Sequence, residues 1–176
     1  MLVSLSSTGY NENQMTRKDG TFVFGQLFPG DYFIQYQLKE YSFNPATATI
    51  SVEEGVALDV TVTCTRIAFS AFGTISTITG QPIVKQRVLA VSDKKHRESG
   101  VTDSEGHFRV RGLHPGEEYT VSVVGVSNIV PVNHVFTMEQ EDIFNQDFIL
   151  LNTPSSAVFH YFIVFHLLMN RLFSVW

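Results

Sequence analysis

The chain has 176 residues, 44% of them apolar and 16% charged, with 17 Asp and Glu against 12 Lys and Arg. That apolar share excludes a wholly disordered chain. The formal net charge of −5, with no run of Lys or Arg, speaks against nucleic acid as a partner. The length fits one medium domain or two small ones.

From the start, Leu2-Val3-Ser4-Leu5 reads as a strand entered mid-domain; it has neither the basic n-region nor the long apolar h-region of a secretory signal. Residues 16–30, TRKDGTFVFGQLFPG, place an Asp19-Gly20 turn before Phe22 and Phe24. Their alternation puts one face on a core and the other in solvent. Leu27 then closes the core end, Pro29-Gly30 turns the chain, and a strand runs from Tyr32 to Tyr36. After Val52 and a Glu53-Glu54-Gly55 turn, Leu58, Val60 and Val62 alternate with Asp59, Thr61 and Thr63, predicting another strand. Cys64–Arg66 leaves almost no linker before the next strand, Ile67 to Ile75. A Thr79-Gly80-Gln81-Pro82 turn leads to Gln86–Val91, then residues 102–116, TDSEGHFRVRGLHPG, and a strand from Tyr119 to Val123. Val135–Met138, a charged turn at Glu139–Asp142 and Phe144–Ile149 complete the series.

The two quoted blocks are copies. Thr16, Gly20, Phe22, Leu27, Pro29 and Gly30 match Thr102, Gly106, Phe108, Leu113, Pro115 and Gly116 at constant spacing; that spacing also sets Val3 on Leu89 and Leu5 on Val91, and Tyr32 meets Tyr119 after a one-residue insertion. Short strands at this spacing, with no sustained helical period before residue 150, predict an all-β protein of tandem Greek-key β-sandwiches. The expected division is a sandwich repeat at 1–64 lacking its first strand, a complete repeat at 67–151, and an apolar tail at 152–176. The missing strand follows from the repeat, since the counterpart of Ile67–Ile75 would precede Met1. The expectation is therefore a piece of a longer array or a truncated gene model, with the units stacked as a semi-rigid rod. Residues 157–176 are mostly apolar, broken by His160, His166, Asn170, Arg171 and Ser174. Three readings stand for this stretch, helical in two of them: a weak membrane anchor, a partner-covered amphipathic helix, or a non-native end.

No reactive constellation is evident, and catalytic, cofactor-binding and metal sites are all expected to be absent. His96, His107, His114, His134, His160 and His166 do not form a metal-ligand spacing on a predicted helix. Asp19, Asp103 and Glu105 could suggest calcium, but Arg17 occupies the first-copy counterpart of Asp103, which favours a turn role. Gly25-Gln26-Leu27-Phe28-Pro29-Gly30 lacks the Lys-Ser/Thr of a phosphate loop. Cys64, the single cysteine, has no neighbouring His and forms no intrachain disulfide. Tyr10, Tyr36 and Tyr41 could stack on sugar rings where exposed, as any exposed Tyr on a sandwich could, which keeps a carbohydrate-binding module as the alternative function.

Thr102-Asp103-Ser104-Glu105-Gly106-His107-Phe108 through Gly112-Leu113-His114-Pro115-Gly116 resembles the transthyretin-like, carboxypeptidase-regulatory-like sandwich. Leu38-Lys39-Glu40-Tyr41-Ser42-Phe43-Asn44-Pro45, Ile50-Ser51-Val52-Glu53-Glu54-Gly55 and Thr65-Arg66-Ile67-Ala68-Phe69 further resemble the late sandwich repeats of the nodal modulator family, over about Leu2 to Leu151. That resemblance implies a non-enzymatic lumenal scaffold of the endoplasmic reticulum membrane. It also implies protein partners in the machinery that builds multi-pass membrane proteins, and a role in modulating Nodal signalling. The candidate membrane contact, 157–176, is read from its apolar composition alone, since that tail does not resemble the family's anchor.

Overall fold

The computed structural model describes residues 1–151, and they are all-β: no helix occurs among them, and so none long and apolar enough to cross a membrane. The tail at 152–176 lies outside the described residues.

The first unit is built on β1 (Leu2–Ser7), β2 (Tyr10–Met15), β3 (Gly30–Gln37) and β5 (Thr47–Val52), an antiparallel sheet in the order β2-β1-β3-β5. The short β4 (Tyr41–Asn44) pairs separately with β6 (Thr63–Arg66), Phe43 facing Cys64. The second unit has two sheets. One contains β8 (Arg87–Ser92), β9 (Arg97–Val101), β11 (Glu118–Val123) and β13 (Asn133–Thr137), in the order β13-β11-β8-β9. The other contains β7 (Phe69–Thr77), β10 (His107–Leu113), β12 (Ile129–Val130) and β14 (Phe148–Leu150), in the order β10-β7-β14-β12. The sheets β9-β8-β11-β13 and β2-β1-β3-β5 have the same connectivity, so the repeat read from sequence is also a repeat of topology.

The register of that repeat differs from the sequence expectation by one residue. Val3 and Leu5 are buried and pair with Tyr36 and Ile34; their structural counterparts are the buried Val88 and Ala90, paired with Val123 and Val121, not Leu89 and Val91. The cause is the hairpin that follows. Ser7 pairs with Tyr10 across a two-residue Thr8-Gly9 loop, whereas Asp93-Lys94-Lys95 intervene between Ser92 and His96, with Lys95 at φ 68°. An extra residue in the turn moves the preceding strand by one, and one residue exchanges its faces.

Two stretches expected as strands are not paired in the first unit. Residues 22–25 and 58–62 carry the right alternation, yet neither joins a ladder among the described residues. Their second-unit counterparts lie on either side of β7. Phe108 and Val110 pair antiparallel with Gly73 and Ala71, while Phe148 and Ile149 pair parallel with Ile75 and Ser76. No strand occupies the β7 position in the first unit among the described residues. The cores differ accordingly. The buried hydrophobic core of the first unit is Val3, Leu5, Tyr32, Ile34 and Tyr36, all from one sheet, with Phe22, Phe24, Val60 and Val62 only partly buried against them. The second core draws on both sheets, with Ile75, Val88, Phe108, Val110, Tyr119 and Phe148 among its members.

Candidate functional site

The densest polar constellation lies where the first unit meets the second. Only Ile67 and Ala68 separate β6 from β7, so the turn Leu38–Tyr41 between β3 and β4 is held against the start of the second unit. The Glu40 carbonyl accepts from the amides of Ile67 at 2.9 Å and Ala68 at 3.3 Å. Its side chain is 2% exposed, and Oε1 accepts from Ser70 Oγ at 2.9 Å and Arg109 Nη2 at 2.6 Å, with Arg111 Nε 3.8 Å away. Ser70 Oγ in turn accepts from Arg109 Nε at 3.0 Å, so the hydroxyl both donates and accepts. A carboxylate taken out of water needs such partners on both counts, charge and hydrogen bonding.

Arg66, Arg109 and Lys39 make further contacts around the same junction. Arg66 lies over the Phe69 ring at 4.3 Å, bonds the Ala68 carbonyl at 3.3 Å and pairs with Asp142, whose Oδ1 also accepts from the Ser70 amide at 2.8 Å. Arg109 lies over Phe72 at 5.0 Å. Lys39 pairs with Glu98 beside Gly112, which holds φ at 85°; a Cβ there would lie 3.3 Å from the Glu98 carboxylate and 3.5 Å from Lys39 Cβ. Arg109 and Arg111 are the outward positions of β10, whose inward ones are Phe108 and Val110. Their first-copy counterparts are Val23 and Gly25, so the junction uses positions where the two copies differ.

The residues weighed for chemistry disperse. Cys64 is exposed on β6. His107 is exposed, with Asp103 and Glu105 at 3.8 and 3.4 Å, and Asp103 Oδ1 is engaged in its turn by the Glu105 and His107 amides, both at 2.9 Å. Asp19 accepts from the Thr21 amide and hydroxyl at 2.9 and 2.7 Å, and the amide bond above all holds its carboxyl below the usual range. His134 bonds the Asp147 carbonyl at 2.9 Å and packs edge-on against Phe148. Among the described residues no group of three His, Cys, Asp or Glu side chains could hold a metal ion.

One titratable cluster was not foreseen. Glu117 is buried under the turn between β10 and β11, where His96 Nδ1 approaches at 2.8 Å and the Tyr119 hydroxyl donates at 3.1 Å. Burial alone would push this carboxyl up; hydrogen bonds with His96, Ser92 and Tyr119 outweigh it together and hold the group below its ordinary value. Burial, aided by the carboxylate beside it, pushes the Tyr119 hydroxyl up to about 12. Its hydroxyl also receives the His114 amide at 3.0 Å, so the cluster ties down the Pro115-Gly116 turn. The signal in sequence was faint: Glu117 directly follows the repeated Pro-Gly, and its partners lie on another hairpin.

The aromatic platform expected for sugars does not form. Tyr36 is buried, 4% exposed, between Phe22 and Phe43, and burial pushes its hydroxyl up. Three rings cannot stack on a glycan when one is in the core, which corrects the expectation for Tyr36. Tyr10 and Tyr41 are half-buried; Tyr10 packs edge-on against Tyr32 at 5.5 Å and donates to Glu12, a bond that pushes its hydroxyl up to about 12.

Residues 1–62 match the family described as BOS complex subunit NOMO1-like, second beta sandwich domain, whereas the sequence resemblance pointed to late repeats. Over 131 residues the chain is 39% identical to the mouse BOS complex subunit NOMO1 and 37% identical to the human one, covering 73% of this chain and 11% of each relative. Over 160 residues it is 30% identical to Nicotinic receptor-associated protein 4 of Caenorhabditis elegans, covering 86% of this chain and 14% of that protein. The chain thus spans about a tenth of the length of the curated relatives it matches first.

Proposed function

Since this chain belongs to the nodal modulator (NOMO) family, we propose that it is a non-enzymatic spacer and interaction module of a membrane-protein complex, dividing at 1–64 and 67–151. The observation that carries this reading is the Glu40 junction. Two sandwiches joined by two residues and braced through a buried carboxylate keep a set relative orientation, which is what a spacer needs. Its work is steric: stacked units hold partner surfaces at a fixed distance and angle. Relatives bear the name of a complex subunit, which supports protein partners; the lumenal side of the endoplasmic reticulum membrane is the setting proposed with them. Translocon-associated biogenesis of multi-pass membrane proteins and Nodal signalling are the processes in which this module would act.

Small-angle scattering of the full chain tests the spacer directly. One narrow distribution of inter-unit distances is expected, broadened by Glu40→Ala; a wild-type chain that already samples many distances refutes it. Co-isolation with the other BOS complex subunits from detergent-solubilised endoplasmic reticulum membranes tests the setting. Failure to recover them removes that part of the proposal. Substrate turnover abolished by a point substitution would overturn the non-enzymatic reading.

A further inference from the structure

The open side of the first unit has a definite shape. Between residues 22–25 and residues 57–62 lies a cleft of about 1320 Å³ whose walls include Leu5, Phe22, Phe24, Ile34, Ile50 and Val60. Neither bordering stretch makes a ladder hydrogen bond among the described residues; Val23 is engaged on one side only, by the Gln14 amide at 2.9 and 3.0 Å. Tyr36, packed on Phe22 and Phe43, has a buried hydroxyl with no hydrogen-bond partner among the described residues.

The second unit shows what fits there. Its β7 passes antiparallel to β10 and parallel to the stretch ending in β14, with Ala71 bridging Ile143 and Phe148 beside Ile75. Phe22 and Phe24 are the counterparts of Phe108 and Val110. Val62 is the counterpart of Phe148, because each lies two residues before the partner of an inward β4 or β12 residue, Phe43 in one case and Ile129 in the other. β7 has nine residues. At about 3.3 Å per residue, with strands about 4.8 Å apart and layers about 10 Å apart, such a strand occupies roughly 1400 Å³. The open cleft, about 1320 Å³, is large enough to admit one.

We propose that the cleft is a receptor for one further β-strand of the β7 kind, supplied by polypeptide ahead of Leu2 in longer chains of this family. The slot also selects sequence. Gly73, opposite Phe108, has no room for a side chain: a Cβ would lie 2.2 Å from the Gln146 carbonyl oxygen and 2.7 Å from the Phe108 ring. With Phe22 and the backbone at Val60 in those two places, the strand that enters carries glycine opposite Phe22 and a small apolar residue opposite Phe24. It runs antiparallel to the first border and parallel to the second. This inference rests on the cleft and on its match to the second unit, and it does not depend on the spacer reading.

The test fuses a second copy of residues 69–86 directly ahead of Leu2 in the full chain, reproducing the β7-to-β8 connection. Hydrogen exchange is expected to show new protection of the amides at 22–25 and 57–62, with a melting midpoint raised by about 5 °C or more. The same fusion with its copied glycine changed to valine is expected to lose both effects. A free peptide of sequence Phe69–Thr77, added to the unfused chain, is expected to protect the same amides, which guards against a fusion that misfolds. Equal behaviour of the glycine and valine forms overturns the proposal, as does absence of protection in both formats. A concentration-dependent dimer of the unfused chain that protects those amides assigns the slot to a second copy and overturns the stated source.

Discussion

Replacing Glu40 by alanine removes the acceptor on which the junction converges. Oε1 receives one neutral hydrogen bond, from Ser70 at 2.9 Å, and one charge-assisted bond, from Arg109 at 2.6 Å. Net contributions of about 1 kcal/mol for the first and about 1.5–3 kcal/mol for the second set the scale. The figure of about 3–5 kcal/mol for breaking a fully buried ion pair is too large here, because the Arg109 and Arg111 side chains are 36% and 48% exposed and recover water when the carboxylate is gone. Ser70, fully buried, recovers none. The expected loss is therefore about 2–3 kcal/mol in urea unfolding followed by circular dichroism. Lys39→Ala in the same turn is the control: its partner Glu98 is accessible and its own side chain is 60% exposed, so a loss of about 0–1 kcal/mol is expected. If Glu40→Ala costs no more than Lys39→Ala, the carboxylate does not hold the units together.

The remaining predictions concern the cores and one buried acid. Phe22 and Phe108 occupy the same repeat position, but Phe108 is 3% exposed inside a closed sandwich and Phe22 borders the cleft. Phe108→Ala is expected to cost about 3–5 kcal/mol and Phe22→Ala less than about 2 kcal/mol by denaturant unfolding; equal losses would mean that the first unit is closed. Gly73→Ala drives a methyl into the Gln146 carbonyl and is expected to cost about 3 kcal/mol or more, read as a lowered melting midpoint. For Glu117 the folded value lies below the ordinary 4.5. The unfolded chain therefore binds the proton first, and the stabilisation is complete above pH 4.5 and lost as pH falls through the lower folded value. Glu117→Gln should flatten that acid limb of the stability profile, and an unchanged limb refutes the assignment.

The strand pattern was legible because alternation reports burial locally, and Phe22, Phe24, Val60 and Val62 do turn their apolar faces inward. What alternation cannot report is whether a partner stands beside a strand. The same pattern that makes β10 a strand leaves 22–25 extended and unpaired, since pairing depends on a segment elsewhere. The Val3 and Leu5 register failed for a related reason: a single residue inserted in the Asp93-Lys94-Lys95 turn changes which strand positions correspond, and identities on its far side do not reveal it. Glu40 was invisible as a site because its partners Ser70, Arg109 and Arg111 lie on β7 and β10 of the following unit. Tyr36 was misplaced for want of knowing that it shares a face with Tyr32 and Ile34.

The two copies agree in backbone where they fold and differ in side chain where they meet a neighbour. The bulge near the end of β10 sets a residue with positive φ at Gly112, and Gln26 holds φ 58° in the same place of the first copy. A left-handed conformation costs a non-glycine residue roughly 1–2 kcal/mol, so the first copy tolerates a strain that the second avoids. At Gly112 the neighbouring unit comes close: a Cβ there would lie 3.5 Å from Lys39 Cβ, as well as 3.3 Å from the Glu98 carboxylate. Arg109 and Arg111 follow the same logic against Val23 and Gly25. The identities shared by the repeats encode the sandwich, and their differences encode the docking of one sandwich on the next. In a longer array, then, the face that each unit offers its neighbour is to be sought at the outward positions of the β10-type strand and at its bulge.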